Sequence, residues 1–438
     1  MQLTPLSYKN YMLFLLTLVG TANLLDRFVL SLVLEPIKAE FLLSDSQMGF
    51  LTGFAFAVFY AVAGIPIARW ADRGNRNTIV TVTTGLWSVM VSLCGMVGNF
   101  AQLIAVRIGV AVGEAGCLPP AQSLIAHYFD RAERPRAMAI YTLCGPLAML
   151  IGFWGGGWLV DTVGWRTTFI VLGVPGVFLA LLVRLTLREP RTEQALDQQE
   201  QAPPLLQVLS VLFQQKTFRS IVIAFCISYF FGMGIIQWMP TFYIRSHAMS
   251  ISEVGYWFAI AWGGFGLLGT YLGGVLATRY AAARESLQIR GCALVFVIGG
   301  IFYVLVYAVA DRYWSLGLMM LVALVFPIAN GAIFSAIQSL VEVQMRSTAI
   351  ALIFLLANLI GFGLGPIAVG VLSDLLSGYY GEESLRYASM VFAPGYLWVA
   401  FFYWRASQTI DDDIQSVESI SSRSVFSAAE GKVLRESM

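Results

Sequence analysis

The sequence predicts an all-α membrane protein, with twelve transmembrane helices in two pseudo-symmetric six-helix bundles. Composition is the first reason. The 438 residues are 58% hydrophobic and 12% charged, more apolar surface than a soluble chain of this size can cover with polar groups. Spacing is the second. The apolar residues fall in twelve runs, six on either side of a polar stretch at 188–201, and each run can span the ~30 Å hydrocarbon core at ~1.5 Å per residue. The third is repetition across that midpoint. Ala71-Asp72-Arg73 returns as Ala277-Thr278-Arg279, Arg136-Ala-Met-Ala139 as Arg346-Ser-Thr-Ala349, and Gly157-Trp-Leu-Val-Asp161 as Gly370-Val-Leu-Ser-Asp374. The offsets are all about 205 to 215 residues, so the halves read as duplicates of one another.

The first run, from about Tyr11 to Leu34, contains Asn23-Leu24-Leu25-Asp26-Arg27. Each ionisable group inside a span costs roughly 2.5–3.5 kcal/mol on an insertion scale, so this helix should face protein or a water-filled cavity. Intramembrane charges mark substrate or ion pathways; the plainer alternative is a pair that only ties helices together. Met1 to Asn10 carry no cleavage site, so an uncleaved first helix is expected. Further runs follow at about 48–70, 78–99, 101–126, 137–160 and 165–187, then at 219–243, 253–278, 290–310, 313–338, 347–373 and 386–404. The domain reading is a bundle over 1–187, a linker over 188–218, a second bundle over 219–404 and a polar, mobile tail over 405–438. In the linker, Leu205, Val208, Leu209, Leu212 and Phe213 share one helical face behind Pro203 and Pro204. That pattern is a short amphipathic helix, lying in the membrane interface or capping the bundle.

Lysine and arginine set the orientation. With the N-terminus in the cytoplasm, the loops on that side carry about 15 basic residues and those on the other side about 5. Both termini are then cytoplasmic, in a multi-pass plasma (inner) membrane protein. A net charge of +1 gives no basic field to attract nucleic acid. Cys94, Cys117, Cys144, Cys226 and Cys292 all lie in apolar runs, odd in number and spaced as neither a metal nor a redox motif. With His127 and His247 far apart, no metal and no cofactor is expected.

The fourth run holds Arg107-Ile-Gly-Val-Ala-Val-Gly-Glu114-Ala-Gly-Cys-Leu-Pro-Pro120. Seven residues put Arg107 and Glu114 on one face, roughly 10 Å apart along the axis, too far to touch, so each needs another partner. The glycines between them allow close helix approach, and Pro119 and Pro120 should kink the helix. Asp26, Arg27, Arg107 and Glu114 are therefore the candidate substrate and coupling residues. Burial favours a neutral carboxyl and a neighbouring arginine a charged one, so Glu114 is the candidate proton exchanger. The second half is milder and aromatic. Tyr229, Gln237, Trp238, Trp262 and Asn330, with Asn23 of the first run, are the candidate cavity lining, while Ser335 and Asn358 read as ties between helices. The loop Ala68-Arg69-Trp70-Ala71-Asp72-Arg73-Gly74-Asn75-Arg76 is a tight turn with fixed charges. Asp72, Arg73, Arg76 and Arg136 are candidates for a conformational latch, in which Asp72 meets a helix N-terminus or an arginine across the pseudo-symmetry axis. The alternative is a positive-inside anchor.

At these residues the chain resembles the major facilitator superfamily. Ala68 to Arg76 is similar to its signature G-x-L-A-D-R-x-G-R: Asp72, Arg73 and Arg76 match, while Ala68 and Asn75 stand where glycine is common. Arg107 to Gly113 resembles its fourth-helix signature, and the resemblance covers about residues 8 to 405. Spinster-like transporters are closer still. They share N-x-x-D-R (Asn23, Asp26, Arg27), D-R-x-N-R with Asn75, G-E-A (Gly113-Glu114-Ala115) and R-E-P (Arg188-Glu189-Pro190). That subgroup is implicated in moving lysophospholipids and sphingoid phosphates, some with protons. Organic-anion symporters such as hexuronate carriers share the first-helix D-R and fourth-helix R…E-A-G. The resemblance implies that helices 1, 4, 7 and 10 line a central cavity. It also implies a monomeric secondary transporter working by alternating access, with membrane lipids, protons and a small amphiphilic or anionic substrate as partners. A sugar-acid symporter is the alternative, and a membrane sensor without flux is the alternative of another class. No nucleophile–base pair and no nucleotide loop is present, so no enzyme is expected.

Overall fold

Lipid offers no hydrogen bonds, so an apolar run of ~20 residues must satisfy its own backbone, and helices do so within one segment. The computed structural model describes residues 6–130, 132–189, 213–280, 284–341 and 345–416. Among these, ten helical stretches are long and apolar enough to cross a membrane. Two of them, of 53 and 59 residues, are more than twice the ~20 residues a crossing needs. Each reverses at a glycine with positive φ, Gly164 (76°) and Gly381 (54°), conformations that a Cβ disfavours. Twelve spans result.

In the first half these are α1 (Leu6–Leu32), α2 (Asp45–Thr52 and Phe54–Arg73), α3 (Arg76–Cys94) and α4 (Phe100–Glu114 and Leu118–Tyr128). The helix Arg134–Thr142 and the first part of Cys144–Thr186 make α5, and the part after Gly164 makes α6. In the second half they are α7 (Lys216–His247), α8 (Ile251–Phe258, a wide turn Ala259–Phe265, then Gly266–Tyr280) and α9 (Glu285–Ala308). There follow α10 (Arg312–Val325 and Ile328–Ser339), α11 (Arg346–Ala357, a wide turn Asn358–Phe362, then Gly363–Tyr380) and α12 (Ser384–Phe392 and Tyr396–Ala406). Side chains start several of them. Asn75, Asn99, Ser250 and Asp311 accept from the first-turn N–H groups of α3, α4, α8 and α10, and Ser44 with Gln47 forms a capping box on α2, satisfying donors that a helix start leaves open.

Within the first half α3 packs on α6 and α4, and α1 on α5; within the second α9 and α7 pack on α12. The halves meet along two seams, α2 against α11 and α5 against α8. A twelve-span chain has both ends on one face, called here the terminal face, and its other face is the far face. On the far face a short helix, Leu34–Phe41, ends beside the α5–α6 turn. There Arg166 donates to Glu40 and to the Val97 carbonyl, and its hydrogen bond holds the Glu40 carboxyl below its usual range.

One sequence expectation for the terminal face changes. The start of the tail is docked: residues 410–416 are helical, Ile410 is fully buried, and Asp413 accepts from Thr217 N–H at 2.9 Å, capping α7. An apolar residue and a carboxylate inside a polar stretch suffice for this, and averaging over the tail hides them. The amphipathic linker helix, Leu205 to Leu212, lies outside the described residues.

Candidate functional site

The site is built on α1 and α4. Successive helical residues are ~100° apart and do not face each other, so Asp26 and Arg27 pair outward. Arg107 donates Nη1 to Asp26 Oδ2 at 2.5 Å, and Arg27 donates Nε to Glu114 Oε2 at 2.7 Å with Nη2 on the same oxygen. The pairs bridge the two helices at sequence separations of 81 and 87. Small residues permit it: an added Cβ at Gly113 would strike the Trp87 backbone of α3, so α4 lies close against α3. After Glu114 the helix breaks over Ala115–Cys117 and resumes at Leu118, ahead of Pro119 and Pro120.

Exposure separates the two arginines. The side chains of Asp26, Arg107 and Glu114 are 1%, 2% and 0% exposed, whereas Arg27 is 19% exposed. Its guanidinium lies 4.3 Å from the Phe56 ring centre, 5.2 Å from Tyr60 and 5.9 Å from Phe362, a cation–π cage of the kind Arg favours. Asp26 Oδ1 and Glu114 Oε1 have no hydrogen-bond donor among the described residues. Each carboxylate thus has an oxygen at which a proton can be held.

Two cavities lie within the bundles, the first sharing Tyr60 with this cluster. One, of about 750 Å³, lies on its terminal side between α2, α4 and α11, lined by Tyr60, Gly64, Gln122, Phe354 and Asn358. The other, of about 370 Å³, lies between α5 and the second half, with Tyr229, Trp262 and Asn330 on its wall beside Met149 of α5, Met233 and an aromatic group of Phe296, Tyr303, Phe326 and Tyr396. Phe225, Tyr229 and Phe354 pack between them. Both sizes suit small-molecule sites, which are mostly apolar with a few placed polar groups.

The sequence placed Asn23, Gln237 and Trp238 on a cavity wall, and the structure instead buries them. Trp238 is fully buried and donates Nε1 to the Pro366 carbonyl; Gln237 and Asn23 are 8% and 7% exposed and line neither cavity. Conversely, Asn358 lines one. Its position opens a wide turn, as Trp262 lies within another. Such i→i+5 turns are frequent at functional sites, but no residue pattern announces them. Phe56, Tyr60 and Phe362 were also missed, because aromatic residues are everywhere in this chain and only the fold puts three around one arginine. Of the latch candidates, Arg76 donates to the Ser123 carbonyl at 3.1 Å and its N–H to Glu189, at the start of the linker, at 2.5 Å, and neither of these contacts reaches the second half. Arg136 is exposed, and the side chains of Asp72 and Arg73 lie outside those described.

The model of the Major Facilitator Superfamily matches residues 16–366. An MFS-type efflux pump of Mycolicibacterium smegmatis is 34% identical over 91% of this chain and 92% of its own. A probable galactarate/D-glucarate transporter of Bacillus subtilis is 27% identical over 57% of this chain and 60% of its own. A bacterial homolog of the human lysosomal transporter Spinster, solved in an inward-facing and unoccupied conformation, superimposes with a TM-score of 0.83 at 28% identity, covering 94% of this chain and 99% of that one. The cross-paired charges, the duplicated halves and these likenesses agree: the chain belongs to the Major Facilitator Superfamily of membrane transporters and, within it, resembles the Spinster-like subgroup.

Proposed function

We propose that this transporter is proton-coupled and moves an amphiphilic anionic small molecule, a lysophospholipid or sphingoid-like lipid, by alternating access. The observation that carries the reading is Arg27, a fixed positive charge left partly exposed beside the cavity-lining Tyr60 yet held by a carboxylate. A proton on Glu114 removes the competing anion and frees Arg27 for a headgroup; loss of the proton returns the arginine to Glu114. Proton and anion then travel together. The aromatic cavity beyond Tyr229 takes the apolar end. Asp26 and Arg107, buried throughout, position this exchange. In this reading the monomer works in the plasma (inner) membrane with both termini cytoplasmic, so the far face is outside.

The test is thermal stability of the detergent-purified protein against lysophospholipids, sphingoid phosphates and sugar acids, because a ligand of the folded state raises its apparent stability. Lysolipids are expected to raise the melting temperature, and Arg27→Ala to abolish the shift. A shift with sugar acids alone would favour the second reading, an organic-anion symporter, to which the Bacillus relative, Gln122 and Asn358 lend support. Tight binding without proteoliposome flux would favour a sensor.

A substitution probes the apolar end. An added Cβ at Gly145, on the aromatic cavity, meets nothing within 4 Å. Gly145→Leu should fold and exclude about two ligand methylenes, at ~0.8 kcal/mol each, weakening long-chain lysolipids roughly tenfold and short-chain ones little. Titration calorimetry over a chain-length series reads the difference; equal loss at every length would remove the tail from this cavity.

A further inference from the structure

The repeated Gly-x-x-x-Asp that ends α5 and α11 has no part in the charged site, yet it recurs in both halves. The structure gives both copies the same task. Asp161, at the end of α5, accepts from Ser252 N–H at 2.8 Å, at the start of α8. Asp374, towards the end of α11, accepts from Asp45 N–H at 2.9 Å and Ser46 N–H at 2.8 Å, at the start of α2. In each case a carboxylate of one half caps a helix of the other, where open N–H groups and the helix dipole favour negative charge. The glycine four residues earlier brings the backbones together: a Cβ on Gly157 would meet the Ile251 carbonyl at 2.9 Å, and one on Gly370 would strike the Asp45 carbonyl. Both contacts lie on the far face, where the seams are shut.

We propose that Asp161 and Asp374 are paired positioning residues of the transport cycle: they clasp the far-face mouth closed, and the α2–α11 clasp is the stronger. The inequality follows from what surrounds each. Asp161 is exposed and makes one hydrogen bond. Asp374 uses both oxygens, and the Asp45 it caps is itself bound across the seam. Arg245 of α7 donates to both Asp45 oxygens at 2.8 and 2.9 Å and to Glu35 at 2.7 Å, Lys38 donates to Asp45 at 2.6 Å, and Ser373 of α11 donates at 2.7 Å. The mouth therefore parts first along α5–α8.

The chemistry of asparagine makes the proposal sharp. Asn has one acceptor oxygen. Asp161→Asn can keep its single bond, whereas Asp374→Asn puts an amide donor where the second carboxylate oxygen faces a helix-start N–H; Asp161→Ala and Asp374→Ala lose all. The experiment is pulsed electron–electron distance measurement on the full-length protein in nanodiscs, with spin labels on cysteines introduced at exposed positions; the five native cysteines are buried. Leu42 with Tyr379 spans the α2–α11 seam. Val163 with Tyr313 spans the other, where Arg312 reaches Glu253. Asp374→Asn should add a longer distance at Leu42–Tyr379, and Asp161→Ala one at Val163–Tyr313, each shifting the open-to-closed ratio roughly two- to fivefold. Asp161→Asn should stay near wild type, and unaltered Val163–Tyr313 should show more open population than Leu42–Tyr379. Unchanged distances in both alanine variants and in Asp374→Asn would overturn the proposal. So would lowered thermal stability without a longer component, which is a purely structural role. The proposal rests on alternating access and not on the substrate. Longer distances in a protein with no flux would sink the transport reading and keep the clasp; normal flux with unchanged distances would do the reverse.

Discussion

Arg107→Ala should cost about 3–5 kcal/mol of stability, the penalty for leaving one member of a buried ion pair uncompensated. Both partners are almost wholly enclosed, at 1% and 2% exposure, so water cannot substitute. Asp26→Ala should cost a similar amount, because it strands the guanidinium instead. The double variant Asp26→Asn with Arg107→Gln removes both charges and leaves amides able to bond each other. It should recover more than half of either single loss, since the large penalty belongs to the unpaired charge rather than to the absent attraction. Denaturant unfolding in mixed micelles, with Asp26→Asn and Arg107→Gln also measured singly, reads the cycle. If the losses simply add, the two residues do not act as a pair.

The second large effect is functional. Glu114→Gln keeps the shape of the side chain and removes its charge, so Arg27 loses its competitor permanently. Substrate binding should become as tight at high pH as wild type is at low pH, and its pH dependence should vanish. Accumulation should vanish too. One pH unit is worth about 1.4 kcal/mol per proton, a tenfold concentration ratio, and a carrier that no longer exchanges the proton can only equilibrate its substrate. Wild-type proteoliposomes with an imposed gradient should therefore accumulate substrate about tenfold per pH unit where the variant reaches unity. If Glu114→Gln still accumulates, the coupling carboxylate lies elsewhere, and Asp26 is the next to examine.

Much of this was legible in the sequence, for identifiable reasons. Spans announce themselves because hydrocarbon admits only long apolar helices. Asp26, Arg27, Arg107 and Glu114 stand out because charge in such runs is costly. Their spacing also showed that Arg107 and Glu114 need separate partners. Which partner each takes was not legible, because it depends on how α1 and α4 face one another across more than 80 residues of chain. The far-face network was hidden for a different reason. Glu35, Lys38, Asp45 and Arg245 sit at the ends of runs, where charges are normal, and only assembly buries Asp45 and Arg245. The repeat Gly157 to Asp161 and Gly370 to Asp374 was visible as a pattern without a purpose until two helix starts were found against it.

The charges of α1 and α4 have a consequence for energetics. Two acids and two arginines sum to zero, and all four belong to the same half of the molecule. When that half tilts, no net charge moves through the electric field of the membrane. A single unbalanced charge carried across 100 mV would change the free energy by about 2.3 kcal/mol, enough to slow one direction of the cycle nearly fiftyfold. The empty protein is spared this, and so is a proton accompanied by a monovalent anion. Under the proposed proton–anion coupling, membrane voltage would have nothing to grip, and turnover would follow chemical gradients alone.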